Sequence, residues 1–373
     1  MPRSPTRESP PGNRVPRISS VEFFEARSPL SHPIADATHT IPAITFLVAR
    51  LTLDTGTVGE GCLLAFHFSP HAIRGAFADV RELAMGRAVS ATKEFNSACE
   101  QSFEYFGQVG LLRWAQGIVN VAMWDAWARH LKQPIWRLLG SCAERVPVYG
   151  SGGWLSYSLD ELLAEVTGYA RRGFTAVKVK VGSREPGFDV ERVARVREAV
   201  GPHVRVMVDA NQGFDYSAAL GLARGIRRYD IHWFEEPLPH SDFDGYCALR
   251  QNAGIALAMG EREFDLVALR ELAGRNALDL WQPDILRLGG VEGWLDSAAL
   301  ARAHHLPVLA HFYKEYDTAL AVTVPNAAGV ESFDWVDALI DRPLRIEGGF
   351  AYPSPEPGWG FRFKDEALRK IDR

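Results

Sequence analysis

Short apolar runs and amphipathic stretches alternate regularly through the second half of the chain. The apolar runs predict eight strands, at 146–150, 176–181, 205–209, 231–235, 255–260, 278–283, 307–311 and 329–333. Apolar residues at helical spacing predict helices between them, near 159–172, 188–200, 216–228, 242–252, 264–274, 291–305 and 315–322. Eight such strands over about 190 residues favour a closed parallel barrel. An open doubly wound sheet is the alternative, but it would need a glycine-rich phosphate loop, and Gly150, Gly152 and Gly153 do not form one.

The first 140 residues follow a different pattern. β-Branched and apolar residues predict a strand from Ile18 and a hairpin that turns at 54–56. Apolar residues at three- and four-residue steps predict helices from 71 to 139, including a buried core helix over 111–131. The expected parts of the chain are a disordered, proline- and arginine-rich segment at 1–17, an α+β unit at 18–140, the barrel at 141–336, and a hairpin-type extension at 337–373 that packs back on the α+β unit.

Composition and charge narrow the class of protein. With 47% hydrophobic and 23% charged residues, the 373-residue chain is typical of a globular protein. A net charge of −5 and the lack of a basic run argue against a nucleic-acid partner. No apolar stretch reaches the roughly 20 residues of a membrane helix. The four cysteines are far apart and form no C-x-x-C pair, which favours a reduced, cytoplasmic location over a zinc or redox site.

Three predicted strands end in an acid at matched positions. Asp209, Glu235 and Glu261 are spaced 26 residues apart, and the carboxyl ends of barrel strands meet at one rim. Three buried carboxylates would repel one another unless a cation neutralised them. All-oxygen ligands select a hard ion, so Mg²⁺ is expected first and Mn²⁺ second. The alternative is that each acid is an ordinary solvated loop residue.

Basic residues are predicted on both sides of this acidic cluster. Lys178 and Lys180 share one face of a strand, and two lysines that point into a barrel would depress the pKa of one of them, leaving a neutral base. The alternative is a lysine pair that faces water. Asp284 and His311 end neighbouring strands, where the acid would orient the imidazole. Glu331, at the end of the last strand, could bond a substrate oxygen if it were protonated. The predicted chemistry is removal of a proton α to a metal-bound carboxylate.

Six segments, in order K-V-K-V-G, V-D-A-N-Q, F-E-E-P, M-G-E, Q-P-D and A-H-F, together resemble the enolase superfamily in its mandelate racemase subgroup. The resemblance runs from about residue 18 through nearly the whole chain. It implies a modified TIM barrel, (β/α)7β, and an N-terminal α+β capping domain completed by the C-terminal tail. It also implies site roles: Asp209, Glu235 and Glu261 as metal ligands, Lys180 as base with Lys178 as its substrate-contacting partner, His311 and Asp284 as a dyad, Glu331 as the acid that bonds the substrate carboxylate, and Asn211 near metal and substrate.

Within the subgroup, the chain most resembles the acid-sugar dehydratases, with talarate/galactarate dehydratases as the nearest comparison. This resemblance implies a Mg²⁺-dependent dehydratase of a small-molecule carboxylate, which yields a 2-keto-3-deoxy acid, and a homo-oligomer. A racemase or epimerase of a 2-hydroxy acid would use the same two bases, and a non-catalytic carbohydrate-binding barrel is the rival from another class.

Several residues are expected to set the substrate. Ser31 and His32 in the capping loop, together with His67, are candidate substrate contacts by analogy with closing loops. Arg262 directly follows an expected ligand, and Arg287 stands where related chains often carry lysine. The segment Tyr313, Lys314 and Glu315 follows the histidine. These departures are expected to rebuild the distal pocket.

Overall fold

The computed structural model describes residues 15–65, 70–183, 185 and 187–371. Its N-terminal part is an antiparallel sheet covered by helices. The strands are β1 (Ile18–Ser28), β2 (Ile34–Ala35), β3 (Thr40–Ile41), β4 (Ile44–Leu53) and β5 (Val58–Leu64). The helices are α1 (Pro70–Ala84), α2 (Thr92–Phe103), α3 (Leu111–His130) and α4 (Ile135–Leu139). Helix α3 is buried around most of its circumference, as its continuous apolar sequence predicts.

An eight-stranded parallel barrel follows in the described chain. Its strands are β6 (Val146–Gly152), β7 (Ala176–Lys180), β8 (Arg205–Asp209), β9 (Ile231–Glu235), β10 (Leu257–Met259), β11 (Leu280–Trp281), β12 (Val308–Ala310) and β13 (Ala327–Ser332). Its helices are α5 (Leu159–Arg171), α6 (Phe188–Val200), α7 (Tyr216–Ile226), α8 (Phe243–Asn252), α9 (Leu266–Gly274), α10 (Val291–Ala303) and α11 (Lys314–Ala321). Parallel pairing of β13 with β6 closes the barrel, so the predicted fold class is confirmed.

The C-terminal residues contact both parts of the chain. Strands β14 (Arg345–Glu347) and β15 (Phe350–Tyr352) form a hairpin that pairs with barrel strand β6 rather than with the N-terminal sheet. Farther along, β16 (Arg369–Lys370) pairs with β1, and the indole of Trp359 donates to a carbonyl of α3. Short 3-10 helices cover Glu104–Phe106, Arg227–Tyr229, Asp337–Leu339 and Asp365–Ala367. None of the described helices is long and apolar enough to cross a membrane.

At the N-terminal side, one element was not predicted and one expectation needs revision. The loop between β1 and β4 contains a small hairpin, formed by β2 and β3 with a turn at 36–39. We call residues 34–41 the cap hairpin. Of the segment expected to be disordered, residues 1–14 lie outside the described chain, whereas Arg17 already forms a bridge with Ala88.

Candidate active site

The three acids at matched strand ends meet at one point. Asp209 and Glu235 are the last residues of adjacent strands and lie opposite each other in the register, and Glu261 follows the end of β10. One carboxylate oxygen of each lies within 4.8 Å of the other two, and all three side chains are buried. Carboxylate oxygens at this spacing are the donor set that a hard divalent cation prefers, and burying three negative charges together favours its binding. The residues therefore fit a magnesium site.

Glu235 is held in place by one donor from its own strand and by two from farther round the barrel. The indole of Trp233 and the amide of Gln282 donate to its Oε2, at 3.1 and 2.6 Å. Its other oxygen accepts from the Lys178 ammonium. Bonds of this kind orient a metal-ligating carboxylate before the ion arrives.

The two lysines of β7 point into the barrel, as their alternation with outward-facing, buried valines predicts. Lys178 contacts Glu235 and also Glu331, at 2.7 Å, and Lys180 contacts Asp209. Burial lowers the pKa of each ammonium, but the carboxylates outweigh it and raise both pKa values. The acids act more strongly on each lysine than the second lysine does, so the neutral lysine expected from the sequence stays a prediction for a site whose acids hold a cation.

His311 and Asp284 approach the cavity from across the barrel. Nδ1 of His311 lies 2.9 Å from Oδ2 of Asp284, and Nε2 lies 3.4 Å from Oε2 of Glu261. Burial alone would lower the pKa of His311, but Glu261 and Asp284 outweigh it and raise it to about 9. At neutral pH the imidazole is therefore protonated and can act as a proton donor.

Glu331 and Asn211 also border this space. Oε2 of Glu331 accepts from the Phe312 amide at 3.0 Å, and Oε1 lies beside Lys178. Burial would raise the pKa of Glu331, but Lys178 and His311 outweigh it and lower it, so the protonated form expected from the sequence is not favoured here. The backbone N–H of Asn211 donates to Oδ1 of Asp209 at 2.8 Å. The side-chain oxygen of Asn211 is buried without a described hydrogen-bond partner.

The cap hairpin covers the cavity with residues other than those expected. Ser31 and His32 lie outside the cavity lining, and His32 instead lies 3.1 Å from Glu161 on the barrel surface. His67 lies outside the described residues. Asp36 and His39, in the hairpin turn, line the cavity in their place.

Asp36 accepts from the amides of Thr38 and His39, both at 2.7 Å. An aspartate that caps the two following amides is a recognisable turn signature, and it could have pointed to this segment of the sequence. Trp114, at the start of α3, also lines the cavity, and no local sequence signal marks it.

The departures from the family pattern occupy two environments. Arg262, Arg287 and Tyr313 line the cavity, and Arg262 lies 3.3 Å from both Glu236 and Glu261. Lys314 and Glu315 are buried outside it, where the Lys314 ammonium donates to the Phe333 carbonyl at 2.6 Å and contacts Asp337. Only the first group can contact a bound substrate.

The described residues border about 760 Å³ of space that includes the open mouth of the cavity. It lies at the carboxyl ends of the barrel strands and holds acids, amines and an imidazole together. Such a combination defines a β/α-barrel protein of the enolase type.

Comparison with known families agrees with this class. Residues 18–140 match the N-terminal domain of mandelate racemase / muconate lactonizing enzyme, and residues 161–367 match the enolase C-terminal domain-like family. The chain belongs to the mandelate racemase / muconate lactonizing enzyme family of the enolase superfamily.

Three relatives illustrate its similarities. The L-talarate/galactarate dehydratase of Salmonella typhimurium is 29% identical over 95% of this chain and 90% of its own length. The structure of L-talarate dehydratase from Polaromonas sp. JS666, complexed with Mg and L-glucarate, has a TM-score of 0.87 at 27% identity and covers 96% of this chain and 100% of that one. A racemase from Streptomyces coelicolor with bound magnesium has a TM-score of 0.89 at 25% identity, over 94% of this chain and 98% of that one.

Proposed function

We propose that the protein is a Mg²⁺-dependent acid-sugar dehydratase. It would remove the proton α to the substrate carboxylate and eliminate the β-hydroxyl as water, giving an enol that tautomerises to a 2-keto-3-deoxy acid. The observation that carries the proposal is the placement of His311 and Lys180 against different members of the three-carboxylate cluster, His311 beside Glu261 and Lys180 beside Asp209. Similarity to talarate/galactarate dehydratases supports the same reaction.

Asp209, Glu235 and Glu261 would hold the magnesium ion. When bound, it supplies Lewis-acid stabilisation of the negative charge that develops on the substrate carboxylate. Lys178, next to Glu235 and Glu331, would bind that carboxylate and keep it in the plane of the forming double bond. Asn211 would orient the same end of the substrate through its buried side-chain oxygen.

Lys180 is the proposed base. Its ammonium contacts Asp209, whose charge raises the pKa of Lys180 against the effect of burial. A cation held by Asp209 would offset that negative charge, and the remaining burial and the positive charge of Lys178 would then lower the lysine pKa. The base becomes competent when the metal site is loaded.

His311 is the proposed acid that protonates the leaving hydroxyl. Asp284 accepts from Nδ1 and therefore directs Nε2 to the cavity. Asp284 helps to raise the pKa of His311, and this contribution would remain with a cation held by Glu261. Proton removal on one side of the substrate and proton delivery from the other suit elimination.

Racemisation or epimerisation of a 2-hydroxy acid is the second candidate, because bases that approach from two sides can also exchange the α-proton between faces. Similarity to the Streptomyces coelicolor racemase favours this candidate. Incubation of acid sugars in D₂O with Mg²⁺ separates the two. A dehydratase forms a keto acid, whereas an epimerase incorporates deuterium at C2 with inversion and forms none.

A screen of acid sugars for 2-keto-3-deoxy products by mass spectrometry tests the proposed function directly. His311→Asn should abolish product formation while leaving Mg²⁺ binding intact. Undiminished dehydration by this variant would refute the assignment of His311 as the acid. A screen in which no acid sugar is dehydrated would refute the proposed function itself.

A further inference from the structure

Arg287 is a half-buried cation that lines the cavity. Among the residues that the structure describes, no carboxylate lies within 4.0 Å of its guanidinium. A partly desolvated charge without a partner is costly, so such a group is usually kept for a ligand.

The other strong cations of the cavity already have carboxylate partners. These pairs are Lys178 with Glu235 and Glu331, Lys180 with Asp209, Arg262 with Glu236 and Glu261, and His311 with Asp284 and Glu261. Asp284 is the acid that acts most strongly on Arg287, but its oxygens are occupied. Oδ2 bonds His311, and Oδ1 accepts from the backbone amides of Leu286 and Arg287.

Two aromatic rings position the guanidinium. Its central carbon lies 4.9 Å from the ring centre of Trp114 and 5.2 Å from that of Phe264. Contact with aromatic faces stabilises the cation without using its N–H donors. The planar fork thus stays available for an anion with two oxygens, the geometry of a carboxylate.

We propose that Arg287 binds a second carboxylate at the far end of the substrate, so that the protein acts on dicarboxylic acid sugars rather than on their monocarboxylic counterparts. The first carboxylate belongs with the metal ligands and Lys178, whereas Arg287 lies next to Asp284, the acid that contacts His311. A monocarboxylic sugar would place a neutral hydroxymethyl group against this half-buried cation and leave its charge uncompensated. This inference rests on the proposed function for the identity of the reacting end.

Matched substrate pairs provide the test. Galactarate and galactonate, and likewise glucarate and gluconate, differ only in the terminal group. With Mg²⁺ present, Arg287→Gln should lower kcat/KM for the dicarboxylates at least about 30-fold, the loss of a charge-assisted bond, and for the monocarboxylates less than about threefold. Arg287→Lys keeps the charge but loses the planar pair of donors. Its kcat/KM for the dicarboxylates should therefore lie between those of the wild type and Arg287→Gln. Arg275→Gln, on the barrel surface away from the cavity, is the matched control and should change neither.

A binding measurement separates this inference from the proposed reaction. In the His311→Asn background with Mg²⁺, calorimetry should show each dicarboxylate binding at least about tenfold tighter than its partner, and Arg287→Gln should remove the difference. Equal or absent binding of the paired acids, or a preference that survives Arg287→Gln in a variant with wild-type melting temperature, would overturn the inference. A preference that depends on Arg287 in a protein that dehydrates no acid sugar would uphold it and refute the proposed function instead.

Discussion

Replacing Gly213 with alanine should lift the cap hairpin off the cavity. A Cβ at this position would lie 2.6 Å from the Cβ of Ala37, whereas carbons in contact are about 3.5–4.0 Å apart. The new methyl group cannot retreat, because the Ala210 carbonyl already lies 3.0 Å from it. The hairpin must therefore move outward by about 1 Å.

That movement should weaken substrate binding more than it slows the chemistry. It would take Asp36 and His39 off the cavity wall and break the 3.2 Å bond from the Thr38 hydroxyl to the Asn211 carbonyl. A misplacement of about 1 Å can cost about 100-fold, so kcat/KM should fall about 10- to 100-fold. The proposed acid and base lie on the barrel, so most of this loss should come from a higher KM.

Steady-state kinetics and amide hydrogen exchange of residues 34–41 measure the effect. Exchange reports hairpin opening whether or not the substrate is known. Adding Ala37→Gly to Gly213→Ala removes the opposing methyl group and should restore both exchange and KM. Gly168→Ala in α5, where a Cβ would meet no atom within 4 Å, is the matched control and should change neither. Wild-type exchange in Gly213→Ala, or no rescue by Ala37→Gly, would refute the reasoning.

Four further predictions concern the proposed acid, metal site and base. Asp284→Asn should lower kcat about 100- to 1000-fold, because it removes the negative charge that orients and stabilises the protonated His311, and a kcat above a third of wild type would contradict this. Glu261 and Asp284 raise the pKa of His311 to about 9, and a cation held by Glu261 would remove part of that rise. The ring keeps its proton below its pKa and loses it above, so kcat should fall on the alkaline side, at or below about pH 9, and Asp284→Asn should move this limb to lower pH. Glu235→Gln should weaken Mg²⁺ binding at least about tenfold in calorimetry, and equal affinity would remove it from the ligand set; the exposed Glu347→Gln is its control. Lys180→Met should stop exchange of the substrate α-proton with D₂O, and continued exchange would assign proton removal to another group.

Most of the fold could be predicted from local patterns of apolar and polar residues. A strand that is buried on both sides must be apolar, and a helix must bury one stripe, so the eight strands and their helices could be predicted in order. Their ends were less predictable: β10, β11 and β12 are shorter than expected, and His311 lies just beyond the strand that was expected to end on it.

The convergence of Asp209, Glu235 and Glu261 was likewise within reach of the sequence, because equal spacing in a β/α repeat brings strand ends to one rim. The charge states and the cavity walls were decided only by the tertiary structure. A lysine pKa depends on which carboxylates surround the ammonium in space. Here the nearby carboxylates raise the pKa of Lys178 and of Lys180 more than burial and the second lysine lower it. Trp114 joins the cavity from a helix remote in sequence, and Ala37 is seated against Gly213 across 176 positions. Contacts of this kind follow from how the two parts of the chain pack together, which no local periodicity encodes.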